Sequence, residues 1–242
     1  MQCRELFTQL YLGVKKRLKG LAKVITDLAF PPVCVICGNY CDHDICGECL
    51  KLIFRSSKGK MELPGLYSYG SLYFYARYSG PVKELIGRYK FRGEMWLGRR
   101  IGSILFEFFR EELRDYDCIV YVPVSRTSFR KRGFDQCHEI AYEVSKQTGI
   151  GIMEIIESNS GSPKQSRLKR DLRRDNVSGR FRLKEGLSAR DRERLRGSRI
   201  LLIDDILTTG STLRECASIL VDTCGSSAVD AMVFATGRTD IG

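Results

Sequence analysis

A chain of 242 residues, 43% of them hydrophobic, can build one substantial core and a small accessory module, which excludes a disordered protein. Its apolar runs are strand-sized and fall short of the ~20 residues of a membrane span, so no transmembrane segment is expected. A formal net charge of +11 points to phosphate-rich partners.

Residues 4–29 alternate apolar and basic positions at helical spacing, and Pro31 and Pro32 stop that helix. Lys15, Lys16, Arg17, Lys19 and Lys23 follow a short apolar start with no secretory core or cleavage site, so a cytoplasmic protein is expected. Cys34-x-x-Cys37 and Cys46-x-x-Cys49 come next, eight residues apart. Four thiolates at zinc-ribbon spacing suit a tetrahedral structural zinc. An unmetallated reduced cluster, a redox pair, or substitution by Cys41 or His43 are the alternatives. The other cysteines are scattered among apolar surroundings, as buried thiols usually are. Residues 51–64 turn polar and small and read as a linker. The organisation expected is a basic amphipathic helix over 1–30, a four-cysteine knuckle over 31–55, and a main domain over 56–242.

Within the main domain, "LYSYGSLYFYARYSG" alternates aromatic and small residues as a hairpin does. "PVKELIGRYKF" and "MWLGRRIGSILFEFFREEL" then space apolar residues three and four apart, which predicts two helices. There follow a strand over 118–122, a helix over 136–147, a strand over 152–156, a basic loop, a strand near Phe181, a strand over 200–203, a helix beginning near Leu213 and a strand over 228–235. Strands alternating with helices imply an α/β fold, a parallel sheet flanked by helices on both faces. The window 164–199 carries 14 Lys and Arg against 5 Asp and Glu. That field suits a sugar phosphate or a nucleic-acid backbone, and equally a solvated basic face.

The most specific stretch is "RILLIDDILTTGSTL", residues 199–213. In a parallel sheet, ligands bind outside the carboxyl ends of the strands, where Asp204 and Asp205 stand. Thr208, Thr209, Gly210, Ser211 and Thr212 then form a turn into a helix, so hydroxyls, amides and the positive helix end converge as a phosphate cradle. Paired carboxylates suit the 2- and 3-hydroxyls of a ribose, directly or through a divalent cation. The ligand so drawn is a ribose carrying a 5-phosphate. The alternative is an acidic helix cap before a Thr-rich turn, and the order of strand, Asp-Asp and Thr-Gly-Ser-Thr weighs against it.

That stretch resembles the phosphoribosyl pyrophosphate (PRPP) signature of type I phosphoribosyltransferases. "DCIVYVPVSRTSFRKRGFDQCHEIA", "KQSRLKRDLRRDNVSGRF", "YSGPVKELIGRYKFRG" and "FPPVCVICG" resemble blocks of the ComF/GntX family of competence-associated proteins. Tyr121 and Asp135 depart from the family's proline and asparagine. The resemblance implies a type I phosphoribosyltransferase-like fold with an N-terminal zinc module, binding PRPP with magnesium. It implies that Ser125 and Arg126 meet pyrophosphate and that Gln165, Arg173 and Asn176 belong to a loop closing over the site. It further implies a role in DNA uptake and natural transformation, with a competence helicase or DNA-processing protein as partner, and the basic window then offers Lys169, Arg170, Arg173 and Arg174 to single-stranded DNA. An active phosphoribosyltransferase of nucleotide or amine metabolism, or a non-catalytic PRPP sensor, are the alternatives. No acceptor site announces itself in the sequence.

Overall fold

The computed structural model describes residues 33–42, 44–55, 59–62, 70–159 and 179–237. The chain divides into two units, Met1–Leu52 and Ile53–Gly242. The expected helix over 1–30 lies outside the described residues. In the first unit, an antiparallel bridge between Val33 and Tyr40 closes the first cysteine turn, and Gly38 takes the left-handed φ of 74° that the turn requires. The second cysteine pair leads into α1 (Gly47–Arg55).

The second unit is built on a five-stranded sheet of order β1-β2-β7-β6-β3. Its strands are β1 (Gly59–Glu62), β2 (Ser71–Arg77), β3 (Cys118–Tyr121), β6 (Arg199–Leu207) and β7 (Ala228–Thr236). Only β1 runs antiparallel. A hairpin is present, but its first strand is β1, drawn from the stretch that reads as a linker. Residues 72–76 of β2 are all buried, so the aromatics there serve both faces of the sheet. The segment 152–156 is not the strand its composition predicts. Ile152 makes a single parallel bridge to Ile119, and Met153, Ile155 and Ile156 turn into the core. The strand proper is β4 (Ile156–Ser158), antiparallel to β5 (Phe181–Leu183) in a separate two-stranded sheet.

Three of the helices, α4 to α6 below, start at a side-chain cap. α2 (Gly80–Phe91) has Pro81 in its first turn and buries Val82, Leu85, Ile86 and Tyr89, one face at helical spacing. α3 (Trp96–Phe108) precedes β3. α4 (Arg126–Arg132) is capped by Ser125, and α5 (Gln136–Thr148) by Asp135, whose carboxylate accepts from the Cys137 and His138 amides. α6 (Ala189–Leu195) opens with a Ser188–Asp191 capping box. α7 (Ser211–Ser218) runs on into a π-helical turn, Ile219–Thr223.

The amino ends of β2, β6 and β7 are held by Asp230, which is 3% exposed. Its carboxylate accepts from Arg199 Nη2 at 2.8 Å, from the Tyr116 hydroxyl at 2.8 Å and from the Ser71 amide at 2.5 Å. A buried carboxylate so satisfied costs little and pins the register. The packing of α3 on α5 depends on Gly102, where a Cβ would lie 2.7 Å from Glu143 Cβ and 2.8 Å from the Ile140 carbonyl oxygen. Gly102→Ala should therefore lower the unfolding free energy by about 1–2 kcal/mol, overpacking outweighing the gain in helix propensity. Gly87→Ala in α2, where a Cβ meets nothing within 4 Å, should raise it by up to ~1 kcal/mol. Denaturant melts of the two variants check the opposite signs.

Candidate functional site

β6 does not end before its aspartates. It pairs with β3 only as far as Tyr121↔Ile203, but with β7 on to Leu207↔Thr236. β3 stops short because Pro123, which has no N–H to donate, follows within two residues of its end. The edge of β6 from Asp204 onward is thus left open on the β3 side. The connections diverge at the same place: the chain leaving β3 returns on its outer edge through Ile152, whereas α7 carries β6 to β7. That is a topological switch point, where α/β sheets bind ligands.

The two carboxylates have different surroundings. Asp205 is 4% exposed, and its Oδ1 accepts from Lys90 Nζ at 2.8 Å, at the end of α2. Its Oδ2 is buried without a hydrogen-bond partner among the described residues. Asp204 accepts at Oδ1 from the Asp205 amide at 2.8 Å and from Cys137 Sγ at 3.3 Å. Burial first and the Asp205 charge second push the Asp204 carboxyl up to about 7. Burial likewise holds the Cys137 thiol protonated, well above its ordinary range, with Asp204 as the next cause. Cys137 Sγ and one oxygen of each aspartate lie within 4.8 Å of one another.

Asp135 joins this cluster to the loop after β3. Its Oδ2 accepts from the Val124 amide at 3.0 Å, and its Oδ1 from the Cys137 amide at 3.0 Å. The departure from asparagine at this position therefore retains a cap and a loop anchor. Beyond Val124, Ser125 and Arg126 are exposed at the start of α4, with Ser125 Oγ accepting from the Ser128 amide at 3.1 Å.

The Thr-rich turn folds around Gly210, whose φ of 76° is left-handed and favours glycine. It starts α7 at Ser211, two residues before the expected position. Thr208 and Thr209 are exposed, and Ser211 and Thr212 are half-buried. Thr209 Oγ1 and Ser211 Oγ lie 3.0 Å apart, and the Ser211 amide donates to Thr209 Oγ1 at 3.3 Å. Hydroxyls and first-turn amides of α7, which a helix leaves without internal partners, thus gather at one point. Gln165, Lys169, Arg170, Arg173, Arg174 and Asn176 lie outside the described residues. Sequence reasoning passed over Lys90, Cys137, Arg180 and Glu215. Nothing local marks them: Lys90, Cys137 and Arg180 reach the site from elements distant in the chain, and Glu215, one turn into α7, takes as partners the distant amides of Gly179, Arg180 and Phe181.

In the first unit, Cys34, Cys37, Cys46 and Cys49 bring four sulfurs within 4.8 Å of one another, with Cys37 Sγ and Cys46 Sγ 3.7 Å apart. Zinc–sulfur bonds of ~2.3 Å in a tetrahedron place sulfurs roughly 3.8 Å apart, so the cluster fits a structural metal. Amides of Ile36 and Cys46 donate to Cys34 Sγ at 3.4 and 3.3 Å. Burial raises the Cys34 thiol, but amide donors led by that of Cys46 outweigh it and bring it to about 6. The thiolate, the form that binds metal, is favoured there.

Residues 135–241 match the phosphoribosyl transferase domain. Competence protein F of Haemophilus influenzae is 28% identical over 199 residues, which span 78% of this chain and 78% of that protein. Competence protein ComFC of Bacillus subtilis is 25% identical over 194 residues, 78% of this chain and 72% of its own. DNA utilization protein YhgH of Escherichia coli K12 is 26% identical over 152 residues, 60% of this chain and 63% of its own. Among the described residues no helix is long and apolar enough to cross a membrane. This chain is therefore similar to competence proteins over most of its length, and to the phosphoribosyl transferase domain over residues 135–241, the stretch that holds the carboxylate pair at the switch point of the sheet.

Proposed function

We propose that this protein binds PRPP with magnesium at the open edge of β6, and that it serves single-stranded DNA handling during DNA uptake. The observation that carries the reading is the pairing of Asp204 and Asp205 with the hydroxyl-lined turn directly after them. The unpartnered Asp205 Oδ2 and the half-buried Asp204 are acceptors awaiting donors or a cation. The ribose hydroxyls can donate to them, while the turn at 209–212 receives the 5-phosphate. Magnesium, a hard cation suited to carboxylate and phosphate oxygens, would be held beside Asp204 and would offset the pyrophosphate charge. The ion pair with Lys90 holds Asp205 in place ahead of any ligand. Ser125 and Arg126 stand on the neighbouring loop as the pyrophosphate contacts. The roles of Gln165, Arg173 and Asn176 in closing over the ligand follow from the family pattern.

Zinc is the metal we assign to the cysteine cluster, because four thiolates leave no open position and suit a structural ion. The DNA role is supported by the names of the relatives and by the charge of residues 164–199. Among the described residues, Phe91 is 77% exposed with the Arg132 guanidinium 5.5 Å from its ring centroid. Phe129 is also exposed, beside Arg130 and Lys131. Basic groups interleaved with aromatics suit stacked bases and a phosphate backbone.

Calorimetry with PRPP and magnesium should show the Asp204→Asn, Asp205→Asn double variant at least about a hundredfold weaker than the parent, because neither amide can accept a charge-assisted hydrogen bond. Its far-UV circular dichroism should keep the native shape although loss of the Lys90–Asp205 pair lowers its melting temperature, and unchanged affinity would remove the ribose assignment. Metal analysis of freshly purified, reduced protein should give close to one zinc per chain, and Cys34→Ser should release it. Protein free of zinc would overturn that assignment. Replacing Lys169, Arg170, Arg173 and Arg174 by Ala should flatten the slope of log affinity for single-stranded DNA against log salt by about 0.7 for each phosphate no longer neutralised. A slope equal to the parent's would take DNA away from that window.

A further inference from the structure

The turn that receives the 5-phosphate in the reading above has hydroxyls and amides but no cation of its own, since residues 208–212 are Thr, Thr, Gly, Ser and Thr. A cation reaches it from elsewhere in the chain. Arg180, just before β5, donates from Nη2 to Thr212 Oγ1 at 2.6 Å. The segment bearing it is anchored on α7, the helix that starts at the turn. Glu215 Oε1 accepts from the amides of Gly179, Arg180 and Phe181 at 2.7, 2.6 and 3.1 Å. Three amides on one carboxylate oxygen are charge-assisted bonds, far more than a surface loop needs to stay attached.

Among the described residues nothing neutralises the Arg180 charge. The residue is exposed, its guanidinium lies 5.5 Å from the Phe181 ring centroid, and among the described residues it has no ion-pair partner. Arg182, two positions on, is paired with Glu157 at 2.8 Å and Glu185 at 3.1 Å. A guanidinium has five donors in a fixed fork, and the bond to Thr212 uses one. That bond also fixes the direction of the threonine hydroxyl. With its oxygen accepting from Arg180, the Thr212 hydroxyl has its own hydrogen left to donate outward to an anion. Arg214 also touches the turn, but it donates to the Thr209 carbonyl at 2.8 Å. It braces the main chain and leaves no hydroxyl poised.

We propose that Arg180 is the cationic ligand of the phosphate turn, binding a dianionic phosphate monoester together with Thr212, and that Glu215 is the positioning residue that holds it there. This inference rests on the assignment of the turn to a 5-phosphate. It adds a specificity for ligands carrying a terminal phosphate, supplied by a side chain 32 positions upstream of Thr212.

The test is equilibrium binding of two probes, ribose 5-phosphate and inorganic pyrophosphate, each with magnesium, to the full chain and its variants. Arg180→Gln should weaken ribose 5-phosphate about tenfold or more while pyrophosphate changes by less than about twofold, and Arg180→Lys should recover part of the loss. Glu215→Ala should reproduce the ribose 5-phosphate defect with Arg180 intact, and Glu215→Gln, which keeps an acceptor oxygen, should be milder. Because Arg180 is exposed, its variants test the idea even if Glu215→Ala does not fold. Parent-like binding of ribose 5-phosphate by Arg180→Gln overturns the inference and leaves the phosphate turn standing. Equal weakening of both probes overturns it too, by making Arg180 a general cation. A parent protein that binds neither probe removes the reading beneath it.

Discussion

A carboxylate carried into the sheet by a buried strand must find a partner, and the ion pair between Asp205 and Lys90 meets that demand. Side-chain exposures of 6% for Asp205 and 17% for Lys90 leave water little part in solvating either charge. Removing one member of such a pair costs about 3–5 kcal/mol, because the other is stranded. The requirement dictates where α2 must end. Its last turn has to bring Lys90 over the carboxyl end of β6, and the neighbouring Tyr89 hydroxyl locks it there by donating to the Gln136 carbonyl at 2.6 Å. α5 is thereby placed so that Cys137 reaches Asp204 and its cap, Asp135, reaches the loop after β3. One buried ion pair thus brings two helices and the loop after β3 around a single crevice.

The same arrangement leaves the site incomplete in a useful way. Lys90 satisfies one oxygen of Asp205 and not the other, and the Asp204 carboxyl, raised to about 7, gives up its proton only near neutrality. A ligand that brings hydroxyl donors or a cation relieves both frustrations at once. Catalysis of pentosyl transfer asks for more, namely stabilisation of charge separating at the anomeric carbon and a shaped place for the acceptor. In the function proposed, the turn at 209–212 and the carboxylate pair, fixed at the end of a parallel sheet, would supply the binding half of that demand.

Much of this was legible in the sequence, for identifiable reasons. The apolar run of β6, the strand of β7 and the periodicity of α5 are local signals, and local signals survive tertiary context. The cysteine quartet was legible because metal geometry restricts spacing. Other features were hidden because their causes lie far apart in the chain. Asp204 and Asp205 look like the end of a strand, yet the ladder with β7 carries them inside it. Gly59–Glu62 has the composition of a linker, and becomes an edge strand because β2 offers it a free ladder. Residues 152–156 look like a strand, but their apolar side chains are taken by the core and the ladder is left to one bridge. Lys90 lies 115 positions from the carboxylate it neutralises, and no periodicity reports such a pairing.

The most direct measurement of the central claim is a crystal structure of the protein grown with PRPP and magnesium, read for where each phosphate sits. The account predicts the 5-phosphate in the turn at 209–212, the ribose hydroxyls on Asp204 and Asp205, and the pyrophosphate facing Ser125 and Arg126. A ligand bound with its ribose away from the two aspartates, or phosphate density elsewhere with this turn empty, would contradict it.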